Sequence, residues 1–296
     1  MFNIIQKRNF WFSFSGVLII IALTFIFMGG LKFGIDFTGG ALLQVEFTGE
    51  RPTVASVQEN LAKLDIGTIQ IQNAGEKDMV FKMKGITNDQ RMSVIENIQN
   101  LSPVQEKTFD AIGPIIGQEL KQKAIYAIIL VIVGIIVYLS WAFRKISSYR
   151  VSSWVFGLNA VIALIHDILI TTGFFAVLGY FFKVEIDSLF VTALLTILGF
   201  SVHDTIVVFD RIREGIKRDY SSSFEIIINR SINETIIRSL NTTITTLLVL
   251  VALFLFGGES IKYFILALIF GIIIGTYSSI FIASPLLLVW NRFKRR

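Results

Sequence analysis

Six stretches of the chain stay apolar for about the 20 residues that a helix needs to cross a bilayer. They fall near 11–29, 124–143, 152–178, 187–209, 238–257 and 262–290. The third and sixth are longer than a bilayer requires, which predicts tilt or extension beyond it. Between the first two stretches, residues 31–121 have ordinary polarity and no membrane-length run. Here the period of the pattern changes. Ala41–Phe47 reads as a strand, Val54, Val57, Leu61 and Leu64 share one helical face, and Ile69 and Ile71 alternate. Met79, Phe81 and Met83 alternate again after a turn at Ala74–Gly75, Met92–Leu101 is helical, and Val104–Ile112 is a last strand before Gly113-Pro114. That β-α-β-β-α-β order predicts a small ferredoxin-like α+β domain. The expected architecture is an α-helical polytopic membrane protein of six transmembrane helices, with this domain between spans one and two. It divides into 1–30 (N-terminus and span one), 31–121 (the α+β domain) and 122–296 (spans two to six).

The composition agrees: 53% hydrophobic, 17% charged, mean hydropathy +0.68. Positive residues set the orientation. One set of loops holds Lys7, Arg8, Arg144, Lys145, Arg150, Arg211, Arg213, Lys217, Arg218 and Arg230, with Arg292, Lys294, Arg295 and Arg296 at the end. The opposite short loops offer only Lys183 and Lys262. Both termini are therefore expected in the cytoplasm and the α+β domain outside. The first apolar run is too long for a cleavable signal peptide and has no small-residue cleavage site behind it. The net charge of +5 comes from residues flanking membrane segments, so nucleic acid is not an expected partner. With no cysteine, a disulfide, thiolate metal site or cysteine nucleophile is impossible. Two histidines, His166 and His203, are too few to build a metal centre. The α+β domain has no catalytic constellation, so a binding or spacer role is the expectation and no enzyme is predicted. Residues 210–237 combine basic groups with an apolar face of Phe224, Ile227, Ile228 and Ile232, which predicts an amphipathic helix on the inner membrane surface.

The informative residues are polar ones inside the spans. Asp204 comes before its apolar run is over, and an ionisable group at that depth is a functional hypothesis by default. Both histidines directly precede an intramembrane aspartate: His166-Asp167 in span three and His203-Asp204 in span four. Such pairs fit a proton relay, and they also fit hydrogen bonds that merely hold neighbouring helices together. On span five, Arg238, Asn241, Thr242, Thr245 and Thr246 form one polar stripe, suited to a hydrated path or a partner's charged group. Counting from the cytoplasmic charges at 1.5 Å per residue puts Asp204 roughly 10 Å in and Arg238 roughly 12 Å in, so the two are expected to pair. On span three, Ala160, Ala163, Asp167 and Thr171 share a small-and-polar face. Span six has a small residue at every fourth position, Ala267, Gly271, Gly275, Ser279 and Ala283, which reads as close helix packing with no chemical role. After span one, Gly34, Asp36, Gly39 and Gly40 read as a tight strand-entry turn, since no lysine follows to make a phosphate loop.

Four of these stretches carry a family resemblance. They are Phe33-Gly-Ile-Asp-Phe-Thr-Gly-Gly40, Ala163-Leu-Ile-His-Asp-Ile168, Gly199 to Glu214, and Arg238-Ser-Leu-Asn-Thr-Thr-Ile-Thr-Thr-Leu247 followed by Phe256-Gly-Gly258. The chain resembles the SecF family, the smaller subunit of the bacterial SecDF protein-export factor, and the likeness covers essentially its whole length. The resemblance implies a multi-pass protein of the bacterial cytoplasmic (inner) membrane that pairs with SecD in a twelve-helix, RND-like assembly. It also implies the SecYEG channel, accessory Sec proteins and unfolded preproteins as further partners, besides the lipid bilayer, and protons as the coupling ion with no other cofactor. Asp204 would be a carboxylate of the proton path and Arg238 the charged group that responds to it at the SecD–SecF interface, with Asp167, His166 and His203 as further candidates. Two other readings stand beside it: half of an RND-like exporter of small molecules, and an assembly scaffold whose charges only specify helix partners.

Overall fold

The computed structural model describes residues 2–64, 66–67, 69–142, 153–219 and 221–294. The loop cations Arg144, Lys145, Arg150, Arg295 and Arg296 lie outside the described residues. The chain divides into two compact units, Met1–Lys32 with Tyr126–Arg296 and Phe33–Ile125.

In the second unit, β1 (Gly40–Phe47), α2 (Val54–Leu61), β2 (Gln70–Ala74), β3 (Asp78–Met83), α3 (Asn88–Gln99) and β4 (Val104–Ile112) follow in the predicted order, after span one (α1, Arg8–Phe27). The four strands form an antiparallel sheet in the order β2-β3-β1-β4. That is the ferredoxin-like arrangement. Leu43 lies opposite Phe81 and Val45 opposite Met79, so the alternating residues of both strands meet on one face. There they are fully buried with Val57, Leu61, Val94 and Ile98 of the two helices. The helices start where their caps dictate. Thr53 accepts from the Ser56 amide, and Thr87 and Gln90 form a reciprocal capping box. At the entry to β1, Gly34 precedes a single helical turn, Ile35–Thr38, which contains the half-buried Asp36. Gly39 and Gly40 then take φ of 72° and 145°. A Cβ would lie 2.7 Å from Pro114 Cα at the first and 2.7 Å from the Met83 carbonyl oxygen at the second. Only glycine fits both.

The membrane unit is built from α1 and five further long helices: α4 (Pro114–Ala142, of which this unit takes the part from Tyr126), α5 (Ser153–Phe182), α6 (Ser188–Arg218), α7 (Phe224–Phe256) and α8 (Lys262–Ser278). The last continues through a π turn, Ser279–Ala283, into α9 (Ser284–Lys294). Six helices among the described residues are thus long and apolar enough to cross a membrane. Small residues set the closest approaches. Gly173 of α5 sits against Ala22 of α1, and Gly271 and Gly275 of α8 sit against Ile197 and Ser201 of α6. Ala267 and Ala283 are fully buried on the same stripe.

The connection 210–237 departs from expectation. Among the described residues there is no separate surface helix: α6 runs on to Arg218, and α7 starts at Phe224 and continues unbroken through span five. The apolar face of Phe224, Ile227, Ile228 and Ile232 meets Phe209, Ile212 and Ile216 of α6 rather than lipid. Gly215 permits the contact, since a Cβ there would come within 2.9 Å of Ile227 Cγ2. Burying each of these isoleucines fully stabilises by about 1.5–3 kcal/mol, which is why protein covers the face. Ile4 and Ile5 join the same cluster. Their amides donate to Asn229 Oδ1 at 3.0 and 3.3 Å, while Asn229 and Asn233 both donate to the Phe2 carbonyl at 3.1 and 2.9 Å. The N-terminal segment is strapped to the start of α7.

Candidate functional site

Asp204 lies on the inner face of α6 at 5% exposure. It stands beside Ser239 of α7, itself 1% exposed. Asp204 Oδ2 and the Ser239 hydroxyl have no hydrogen-bond partner. A buried carboxylate oxygen and a buried hydroxyl that spend none of their hydrogen-bonding capacity carry a desolvation cost, and a proton on the carboxyl would offset part of it.

The expected pair with Arg238 does not form. Arg238 is exposed, about 100° round α7 from Ser239, the residue that Asp204 meets. Depth along the two helices gave no information on that rotation. Asn241, Thr242 and Thr245 are exposed with Arg238, and Thr246 is partly so. The polar stripe therefore points away from the rest of this chain. Its hydroxyls are turned back onto the helix, with Thr242, Thr245 and Thr246 donating to the carbonyls of Arg238, Asn241 and Thr242. His203 is exposed too and makes no hydrogen bond to Asp204.

Asp167 and His166 differ in every respect. Asp167 of α5 has zero exposure. Its Oδ1 is 2.9 Å from His166 Nδ1, and its Oδ2 accepts from Ser201 of α6 at 2.6 Å and Ser278 of α8 at 2.8 Å. His166 Nε2 lies 3.1 Å from the Ser15 hydroxyl of α1, which is 3.0 Å from the Tyr277 hydroxyl. Tyr277 in turn donates to the Trp11 carbonyl at 3.2 Å. A second set of contacts links the same helices. The Ser279 hydroxyl is 2.8 Å from that of Thr205 and 3.3 Å from the Ser201 carbonyl oxygen. Ser279 thus does more than pack. Thr243 and Thr276 join α7 to α8 at 2.7 Å. Of the small-and-polar face on α5, Ala160, Ala163, Asp167 and Thr171 are all buried, and the Thr171 hydroxyl is without a partner.

The hydroxyls of Ser15, Ser201, Thr205, Tyr277 and Ser278 were not singled out from the sequence. Ser201 falls one helical turn before Asp204, and Ser278-Ser279 interrupts the small-residue stripe with a doublet. Those were the available signals. Serine in an apolar helix is too common to point anywhere by itself. Among the described residues no group of acids and histidines could hold a metal ion.

Comparison with known proteins places this architecture. The family described as "Protein export membrane protein SecD/SecF, C-terminal" matches residues 93–293, and "SecD/SecF GG Motif" matches residues 24–49. The chain is 42% identical to the protein translocase subunit SecF of Thermobaculum terrenum over 98% of this chain and 94% of that one. It is 38% identical to SecF of Anaerolinea thermophila over 100% and 98%. Among solved structures, SecDF from Thermus, described as a translocon-associated membrane protein, superposes with a TM-score of 0.86 at 30% identity. SecDF in a super-membrane-facing form gives 0.72 at 29%. This chain spans 39% of the length of each of those two SecDF chains. By full-length likeness to its relatives, the chain belongs to the SecF family of protein translocase subunits, which are membrane components of protein export.

Proposed function

We propose that the chain works as the SecF half of a SecD–SecF pair, coupling proton movement across the bacterial cytoplasmic membrane to the outward movement of secreted proteins through a SecYEG channel. Membership of a translocase family makes it a transport subunit and not an enzyme. The observation that carries the coupling is the carboxylate of Asp204, buried in span four with Oδ2 and the neighbouring Ser239 hydroxyl unused. An ionised group left short of partners at membrane depth is unfavourable by several kcal/mol, whereas its protonated form both donates and accepts. Such a site is poised to change its charge. Arg238 and the stripe below it supply the face for a partner. Polar groups turned outward on a membrane helix need a neighbour or a hydrated path, and SecD is the neighbour the solved SecDF chains suggest. On this reading Arg238 responds at that interface to the charge on Asp204, both termini are cytoplasmic, and the α+β domain is external.

The test is translocation by Asp204→Asn and Arg238→Ala in SecD-containing membranes, with and without a proton gradient. Both variants should assemble with SecD and lose the gradient-dependent component at least about tenfold, the equivalent of 1.4 kcal/mol. Normal gradient-dependent export by assembled Asp204→Asn would sink the proposal.

A further inference from the structure

The two intramembrane carboxylates are built for opposite tasks. Asp204 has an unused oxygen, while every polar atom of the Asp167–His166 pair has a partner. All four of those atoms are held by side chains from within the helix bundle. What the pair has is a grip on four helices: α5 itself, α1 through Ser15, α6 through Ser201 and α8 through Ser278.

That grip falls at a weak point of the fold. Immediately after Ser278 the sixth span widens into the π turn Ser279–Ala283, and the Ser284 hydroxyl donates to the Ser279 carbonyl, five residues back, at 3.0 Å. A π turn inserts one residue into the helical repeat and occurs mostly at functional positions. Were it to relax to α geometry, the helix on one side would turn by about 100° relative to the other. Ser279 would then leave Thr205, which neighbours Asp204 on α6 and now lies 2.8 Å from it.

We propose that Asp167 is a positioning residue: by holding Ser201 and Ser278 together it pins the π turn of span six against α6, and so fixes the register in which Thr205 and Asp204 are presented. The register is a matter of geometry alone. Its effect on export rests on the reading of Asp204 given above.

The chain lacks cysteine, so a Thr205→Cys, Ser279→Cys pair in the full chain assembled with SecD reports the register by oxidative cross-linking. Asp167→Asn keeps an acceptor oxygen for the two serines, and Asp167→Leu removes it. With Asn, both cross-linking and, without the cysteines, gradient-dependent export should stay within about threefold of the parent, under 0.7 kcal/mol. With Leu, cross-linking should slow at least about tenfold and the gradient-dependent component of export should fall with it. If Asp167→Leu does not assemble, Ser201→Ala with Ser278→Ala leaves the carboxylate only His166 and makes the same contrast. Export lost in Asp167→Asn as fully as in Asp204→Asn would make Asp167 a proton carrier and overturn the proposal. Parental cross-linking in Asp167→Leu would overturn it as well. Should Asp204→Asn export normally, the reading of Asp204 fails while the cross-linking arm still decides the register.

Discussion

A single carboxylate closes the turn between α6 and α7. Asp219 accepts from the Ser221 hydroxyl and the Ser222 amide, each at 3.0 Å, and from the Ser222 hydroxyl at 2.7 Å and Arg230 at 3.3 Å. The hydroxyl and amide of Ser222, with Ser221 and Arg230 behind them, hold its carboxyl well below the usual carboxylate range. A carboxyl depressed on folding stabilises fully above its unfolded pKa of about 3.9 and loses that contribution as the pH falls toward its folded value. Hydrogen exchange, corrected for intrinsic rates, should find the Ser222 amide protected from pH 7 down to about 5 and progressively released below about 4. Asp219→Ala should leave it unprotected throughout. What the sequence discloses at this scale is uneven. Asp204 was legible because one acid in an apolar run has no bland explanation. Its neighbour was not, because Arg238 and Ser239 are adjacent and the rotation of α7 decides between them. The Asp167 partners were invisible for a different reason: three serines and a tyrosine from distant parts of the chain become a hydrogen-bonded set only once the helices are packed.

Among elements, the strands and helices of the α+β domain were readable because each buries one face at its own period, as Met79, Phe81 and Met83 do along β3. The α6–α7 hairpin was misread by the same logic. Periodicity reports that Phe224, Ile227, Ile228 and Ile232 share a face, and it does not report whether lipid or Ile212 and Ile216 will cover that face. The ends of α4 and α7 also ran past the apolar stretches that announced them, because a helix once nucleated continues through polar residues such as Gln118 and Asn229 at little loss. The contact between α1 and α5 rests on Gly173, where a Cβ would strike Ala22. Gly173→Val should force the two helices apart and destabilise the membrane unit by about 1–3 kcal/mol, seen as a lower midpoint of thermal unfolding in detergent. Gly134, which has open space around it, makes the control: Gly134→Ala should leave the midpoint unchanged or slightly raised.

For the molecule as a whole, the distribution of cations predicts the end of the α6–α7 hairpin in the cytoplasm and the α+β domain outside. Single cysteines test that directly, there being none to remove. Glu76→Cys, in the turn between β2 and β3, should react with a membrane-impermeant maleimide in intact cells. Ser221→Cys should react only after permeabilisation, and the reverse result would invert the topology. The strap at the N-terminus has a consequence in time. A ribosome makes Phe2, Ile4 and Ile5 well before the residues that hold them, Asn229 and Asn233, which lie 224 to 231 positions later. Until Asn229 and Asn233 have been translated, the leading segment lacks the side chains that strap it. The segment leading into span one must therefore wait as a loose thread, and the knot is tied only after five of the six spans have begun.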